Sequence, residues 1–439
     1  MLHKNTDATS GLEKVLADLE QDYRSRNPRS AEQVARAAQV LPGGSTRTVL
    51  HFDPFPLVIA HASGSHVTDL DGHEYADFAN DFTAGFYGHS DPLITEALRS
   101  AIDSGLSFGG LNLHEEKLAR EICTRFDSID RVRFCNSGTE ANLIAIQLAR
   151  QAMGRSKVLA FKGGYHGSVL SFLGGKSMNC GMDNVVLAEF NAVESVEAAA
   201  VGILDDLAAI VVEPMMSSGG GILAETGFLQ FLREFSTRHG ALLIFDEVQT
   251  ARMGRGGLQE IFGISPDVTT LGKFLGGGAS FGAFGGEAAI MDLLDANREG
   301  AIPHGGTFNN NILSMAAGHV GYSKVATPGA IEGANAKASE LRRRLTEVAQ
   351  GADLPIQLGG YGTIISIHFQ PNEVRRPSEI RTSAKQRKLV HLELLKRQIY
   401  ASRRGTINLS LATTGDDIDS YVRAFKEIST LHSGFLRNT

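Results

Sequence analysis

Asp246 ends an apolar run, Ala241 to Phe245, and Lys273 stands between Gly272 and Phe274 with Gly276 to Gly278 behind it. Five apolar residues that stop at two acids, Asp246 and Glu247, read as a strand buried on both faces of a parallel sheet. The carboxyl edge of such a sheet is where open α/β folds bind ligands. A second short run, Val268 to Leu271, follows Pro266-Asp267 and ends just before Lys273, so both groups can reach one crevice. An amine that forms a Schiff base, opposite an acid that keeps a pyridine nitrogen protonated, is the pair that pyridoxal phosphate requires. A plainer reading fits the same residues, with Asp246 and Glu247 capping a helix or turn and Lys273 a surface charge. The rest of the chain decides between them.

Further loops lie at the ends of further apolar runs. Asn136-Ser-Gly-Thr-Glu140 follows Val132 to Phe134 and opens a helical pattern, so Ser137, Gly138 and Thr139 either hold a phosphate at the helix start or cap the helix. Gly163-Gly-Tyr-His-Gly167 follows Val158 to Phe161; Tyr165 can stack on a flat ring or simply occupy a turn. His166 fits a proton shuttle or a neutral hydrogen-bonding histidine. Glu213-Pro214 ends Ile210 to Val212, which places Glu213 among the candidate cofactor contacts. Thr307, after Gly305-Gly306, is another candidate phosphate ligand, with a helix start capped by Asn309 or Asn310 as the alternative. Four strand ends converging on one edge are hard to explain by packing alone. Gly174-Gly-Lys-Ser177 is no P-loop, because Leu170 stands where that motif needs glycine, and no G-x-G-x-x-G follows a strand, which argues against ATP and NAD. His391 and Glu393 share a leucine-rich helix without metal-ligand spacing, and no metal site is expected.

The elements that must position these residues follow from pattern. Apolar runs alternating with helical periodicity between Arg131 and about Gly286 are the signature of βαβ units. Before them, Leu12 to Tyr23 forms an amphipathic helix in need of a covering surface. Ser30 with Gln33 reads as a capping box on a second helix, and Asp71-Gly72 as a hairpin turn. Asp91-Pro92 opens a helix carrying Leu93, Ile94 and Ile102. After Thr307 come a helix from about Ile312, a long polar helix near Ile331 to Gln350, two strands around Gly362, and a last helix capped at Thr414. A chain of 439 residues, 42% hydrophobic, holds a large core and has room for two domains. A net charge of −7, with acids and bases interspersed, argues against nucleic acid or anionic membrane as a partner. Three irregularly spaced cysteines and the lack of a signal peptide or spanning apolar run point to a cytoplasmic, reducing setting.

Together, Phe245-Asp-Glu-Val-Gln-Thr250, Thr270-Leu-Gly-Lys-Phe-Leu-Gly-Gly-Gly278, Asn136-Ser-Gly-Thr-Glu-Ala-Asn142 and Gly164-Tyr-His-Gly167 resemble the class III pyridoxal-phosphate-dependent aminotransferases over nearly the whole chain. The resemblance implies an α/β protein of fold type I. A large domain, residues 76–326, would carry a mainly parallel seven-stranded sheet; residues 1–75 would supply an N-terminal arm and, with 327–439, a small α+β domain. It further implies a homodimer with shared active sites, Lys273 as the imine lysine and Asp246 as partner of the pyridine nitrogen. Val248 would lie under the ring and Tyr165 above it. Ser137, Gly138 and Thr139 would take the phosphate, Thr307 would reach it from the neighbouring subunit, and Gln249 would approach the phenolic oxygen.

Within that class, Leu41-Pro-Gly-Gly-Ser-Thr-Arg47 and Gly305-Gly-Thr-Phe-Asn-Asn-Asn-Ile312 are similar to the glutamate-1-semialdehyde aminomutase branch. Pro54-Phe-Pro-Leu57, Ser280-Phe-Gly-Ala-Phe-Gly-Gly286 and Tyr400-Ala-Ser-Arg-Arg-Gly405 resemble aminotransferases of β-phenylalanine and related β-amino acids. This narrower resemblance implies that Arg47 binds the β-amino acid carboxylate and Arg404 the carboxylates on the other side of the pocket. Arg403 stands where a proline is expected, leaving open which arginine points inward, and Gln249 replaces the aminomutase branch's methionine. Phe86, Tyr87 and Phe108 either line the pocket or belong to the core. The implied reaction moves an amino group from a β-amino acid to 2-oxoglutarate or pyruvate; the alternative is an aminomutase.

Overall fold

The computed structural model describes residues 2–437, with side chains from Gly11 onward. Seven strands make its main sheet: β1 (Arg131–Cys135), β2 (Lys157–Phe161), β3 (Val185–Ala188), β4 (Leu207–Val212), β5 (Leu242–Asp246), β6 (Val268–Gly272) and β7 (Gly282–Gly286). They lie in the order β1-β7-β6-β5-β4-β2-β3, and β7 alone runs antiparallel to its neighbours. Alternate residues of the central strands serve opposite faces, as the pleat requires. Leu243 and Phe245 pack with Leu229 and Leu232 of the helix Thr226–Arg238, whereas Ile244 packs with Ala145 and Leu148 of the helix Gly138–Met153. Covered on both faces, β4 is buried at all six of its positions, which is why its sequence is a continuous apolar run.

The antiparallel β7 and the edge strand β3 fall outside the runs that the apolar pattern marked. β7 reads Gly-Ala-Phe-Gly-Gly, a poor strand by propensity. Its glycines admit close backbone approach: a Cβ at Gly282 would sit 2.2 Å from the Ser137 carbonyl oxygen, and one at Gly286 the same distance from that of Asp267.

Segments from the two chain ends share a second core. The strands Ile59–Ser63, His66–Asp69 and Glu74–Asp77 form an antiparallel set whose last member pairs in parallel with Ile399–Tyr400, Ile399 opposite Ala76. Ile356–Gly359, Ile364–Phe369 and Thr406–Asn408 make a further antiparallel sheet. The N-terminal helix, Leu2–Arg26, finds its covering surface here: Leu16, Leu19 and Tyr23 are buried in a cluster that includes Leu389 and Leu392 of the helix Ala384–Lys396.

Helix caps at Asp91 and Thr414 are as expected, Asp91 accepting from the N–H groups of Leu93 and Ile94, and Thr414 forming a capping box with Asp417. The expected capping box at Ser30 is not formed. Pro28 starts that helix earlier, Ser30 lies inside it, and the Asp71 carboxylate of the hairpin turn accepts the N–H groups of Arg29 and Ser30 and the Ser30 hydroxyl. A carboxylate borrowed from another segment does the capping. Leu93 and Ile102 are half exposed rather than packed. Among the described residues no helix is long and apolar enough to cross a membrane, and no cluster of His, Cys, Asp and Glu could hold a metal ion.

Candidate active site

Asp246, the last residue of β5, pairs with Thr270 of β6, so the carboxylate and Lys273, which follows β6, leave adjacent strand ends. Three donors converge on Asp246, which is 5% exposed. His166 Nδ1 and Asn142 Nδ2 each lie 2.8 Å from Oδ2, and the Val248 N–H donates to Oδ1 at 3.0 Å. Asn142 is itself pinned: its Oδ1 accepts the Thr270 hydroxyl at 2.7 Å and its Nδ2 also donates to the His166 carbonyl. Burial opposes a charge on His166, but the Asp246 hydrogen bond and the Asp246 and Glu213 charges outweigh it, so its pKa lies above the ordinary value. His166 therefore braces the aspartate through a direct hydrogen bond.

Lys273 sits at a left-handed backbone position, φ 55°. Burial pushes its amine down to about 8; the nearby Arg252 cation acts in the same direction, and the carboxylates of Asp246, Glu213 and Asp81 oppose it. A primary amine at this pKa is neutral and nucleophilic over a much larger fraction of time near neutral pH than a surface lysine.

Ser137 caps the helix Gly138–Met153, its Oγ accepting from the Glu140 N–H at 3.1 Å, while Glu140 Oε2 accepts from the Asn136 N–H at 2.8 Å. Capping and anion binding are compatible, because the hydroxyl accepts with a lone pair and keeps its proton to donate. Val248 packs directly beneath this helix start: a Cβ on Gly138 would fall 2.7 Å from its side chain, and one on Gly272 3.2 Å. Thr139 faces Gly167, where a Cβ would lie 2.3 Å from Oγ1. Thus the phosphate-candidate residues, Val248 and the Gly163–Gly167 loop form one cradle beside Asp246.

Glu213 is buried and accepts from the backbone N–H of Tyr165 at 2.9 Å and of Ser217 at 3.4 Å. Burial raises its pKa to about 7; the His166 cation lowers it and the Asp246 charge raises it. Its observed role is to hold the Tyr165 loop. Tyr165 itself is 39% exposed, its ring free to meet a ligand. Gln249 is half-buried one residue beyond Val248. Arg403 and Arg404 are both exposed; Arg404 lies within electrostatic reach of Tyr165, while Arg403 bears on Arg387 and His391 of the helix Ala384–Lys396. Arg47 is paired with Asp81 at 2.6 Å and lies 5.4 Å from the Phe82 ring. Thr307 is exposed and lines a cavity of about 360 Å³ with Phe108 and Phe308. Phe86 and Tyr87 belong to the core, where they pack on Phe274; Phe108 is half exposed.

Several residues that complete this centre escape a reading by motif. Glu247, paired with Asp246 in sequence, turns away and accepts the N–H groups of Leu258 and Gln259 at the start of the helix Gly257–Phe262. Arg252 is fully buried without a carboxylate partner among the described residues; it donates to the carbonyls of Thr83 and Leu409 and to the Thr363 hydroxyl, with its guanidinium 4.0 Å from the Phe86 ring. Asn142 closes the Asn136–Asn142 motif without a role read from it; its polarity on an otherwise apolar helix face is the signal that could have assigned one. The whole arrangement offers a buried nucleophilic amine, a clamped carboxylate and an anion cradle at one sheet edge, a donor set that fits pyridoxal phosphate.

A family profile described as aminotransferase class-III matches residues 50–427. A β-phenylalanine transaminase of Variovorax paradoxus is 41% identical over 428 residues, 97% of this chain and 98% of that protein. Its solved structure superposes with a TM-score of 0.94, covering 96% of this chain and 98% of that one. A glutamate-1-semialdehyde 2,1-aminomutase of Heliobacterium modesticaldum is 34% identical, over 91% of this chain and 96% of that protein. A solved transaminase with PLP bound is 30% identical with a TM-score of 0.85, covering 94% of this chain and 98% of that one.

Proposed function

The chain belongs to the class III aminotransferases, pyridoxal phosphate is its cofactor, and we propose that it moves the amino group of an aromatic β-amino acid, of the β-phenylalanine kind, to 2-oxoglutarate or pyruvate. The observation that carries the reading is the joint placement of Lys273 and Asp246 at adjacent strand ends beside the Ser137 helix start. The sequence likeness to the V. paradoxus enzyme supports the substrate class.

When bound, the cofactor supplies an aldehyde for an amine to hold and a ring that accepts electrons. Lys273 Nζ would be the amine that holds the cofactor and the group that moves the substrate's proton; its pKa of about 8 lets it both take and return a proton near neutral pH. Asp246, held by His166, Asn142 and the Val248 N–H, is the acid that keeps the ring nitrogen protonated. Ser137 Oγ and the free N–H groups at Gly138 and Thr139 take the phosphate at the positive end of their helix. Val248 and Tyr165 would flank the cofactor's ring and Gln249 would serve its phenolic oxygen, while Glu213 fixes the Tyr165 loop. Arg47 receives the β-amino acid's carboxylate and Arg404 that of the keto acid. Thr307, exposed beside the half-exposed Phe108 and Phe308, completes the phosphate site of a second copy, so the working unit is a homodimer. The formation of amine and keto products from each enantiomer of β-phenylalanine, with and without a keto acid, tests the proposal. Strict dependence on the acceptor is expected. Turnover without one would establish an aminomutase, and activity confined to α-amino acids would overturn the substrate class.

A further inference from the structure

Asn80, Asp81, Phe82 and Thr83 all have positive φ, 44°, 43°, 51° and 81°, and none is glycine. Left-handed backbone is costly for L-amino acids, and such runs persist only where the surroundings over-determine them. The surroundings here do so. Asp77 Oδ1 accepts the N–H groups of Ala79 and Asn80 at 2.8 and 2.9 Å, and Asn80 Nδ2 donates to the carbonyls of Asp77 and Asn408. Asn408 Nδ2 returns a bond to the Ala79 carbonyl at 2.9 Å, and the buried Arg252 holds the Thr83 carbonyl at 3.1 Å. The turn is therefore a fixed mount, and what it presents is the Asp81 carboxylate, 54% exposed, within electrostatic reach of Lys273 and Tyr400.

Arg47, facing it, is mounted differently. It lies between two short turns, Pro42–Gly44 and Thr48–Leu50, and among the described residues its guanidinium has a single ionic contact, Nη1 to Asp81 Oδ1, with the side chain 46% exposed. One edge of the guanidinium fork is engaged and the other is free.

We propose that Asp81 is a resident competitor for Arg47: it occupies the guanidinium that receives the substrate carboxylate, and so sets how much affinity a carboxylate gains there. The inference rests on the reading of Arg47 as the carboxylate receptor. Because the pair is half exposed, the competition is mild and readily reversed by substrate. A rigid acid opposite a loosely mounted base also means that the arginine, not the turn, moves when substrate arrives.

The test is calorimetric titration of the cofactor-loaded enzyme with 3-phenylpropanoate, an aromatic carboxylate that has no amine to transfer. Asp81→Asn should bind it about two- to fivefold tighter than the native protein, as expected for release of an exposed ion pair. Asparagine accepts the left-handed backbone, and Asp81→Gly, which accepts it most freely, repeats the test should the first variant fold poorly. Arg47→Gln should weaken binding, and adding Asp81→Asn to it should change nothing further. Unchanged or weaker binding in Asp81→Asn, with Arg47→Gln still weakened, overturns the competitor role alone and makes Asp81 a buttress for Arg47. Unchanged binding in Arg47→Gln overturns the receptor reading and the competitor role with it.

Discussion

Asp246→Asn is the substitution whose consequences the geometry constrains most tightly. It keeps the shape of the side chain but removes its charge and one of its two acceptor oxygens. Oδ2 now accepts from His166 and Asn142 at 2.8 Å each, and Oδ1 from the Val248 N–H at 3.0 Å. An amide has one oxygen, so its NH2 must face a donor whichever way it turns: Val248 in one orientation, Asn142 in the other. One buried donor left unmet costs about 1–3 kcal/mol, and weakening the charge-assisted bond to His166 adds to it, for a total of about 2–4 kcal/mol of folding free energy. Chemistry suffers more. Losing a preorganised charge aimed at a developing one costs about 10²- to 10³-fold in rate. Stopped-flow absorbance of the loaded enzyme mixed with an amine donor gives the rate, and urea unfolding gives the stability. A variant within about threefold of the native rate would refute the assignment of Asp246 to the ring nitrogen.

Burial holds the Glu213 carboxyl near pKa 7 against an ordinary value of 4.5. Between those values the folded chain keeps a proton that the unfolded chain has released, so this group makes stability fall as pH rises through the window. Glu213→Gln should remove that fall, and urea midpoints at pH 5 and 7.5 with the native slope would contradict it. With Lys273 at about 8 instead of 10.5, capture of pyridoxal phosphate by cofactor-free protein should accelerate as pH rises and level off above about 8, followed by absorbance. An inflection near 10.5 would count against the buried-amine picture. Gly167→Ala would place a Cβ 2.3 Å from Thr139 Oγ1 at φ 119°. It should weaken cofactor binding about tenfold, corresponding to the loss of about one hydrogen bond, and unchanged affinity in a cofactor titration would remove Thr139 from the cradle.

Five of the seven strands, β1, β2, β4, β5 and β6, were legible because each is an apolar run that stops at a polar or glycine-rich loop, and burial on both faces demands that pattern in the inner ones. β7 was not, since its glycines carry no hydrophobic signal and their value lies in backbone contacts with Ser137 and Asp267, which no local window contains. Lys273 and Asp246 could be read from position at strand ends. Asn142 and Arg252 could not, because what gives each its role is a partner far away in sequence: Thr270 and Asp246 for the one, Thr83, Leu409 and Thr363 for the other. Ser30 shows the opposite failure. Its local motif was complete, but Pro28 moved the helix start and Asp71 supplied the cap. Likewise Asp246 and Glu247 read as one acidic pair and serve opposite ends, since a strand turns alternate side chains apart.

Borohydride reduction of the cofactor-loaded protein, followed by proteolysis and mass spectrometry, asks most directly whether Lys273 carries the chemistry. The pyridoxyl mass should appear on the peptide containing Lys273, and Lys273→Ala should lose both the label and amino transfer. A label on a different lysine, or amino transfer at the native rate in Lys273→Ala, would contradict the assignment.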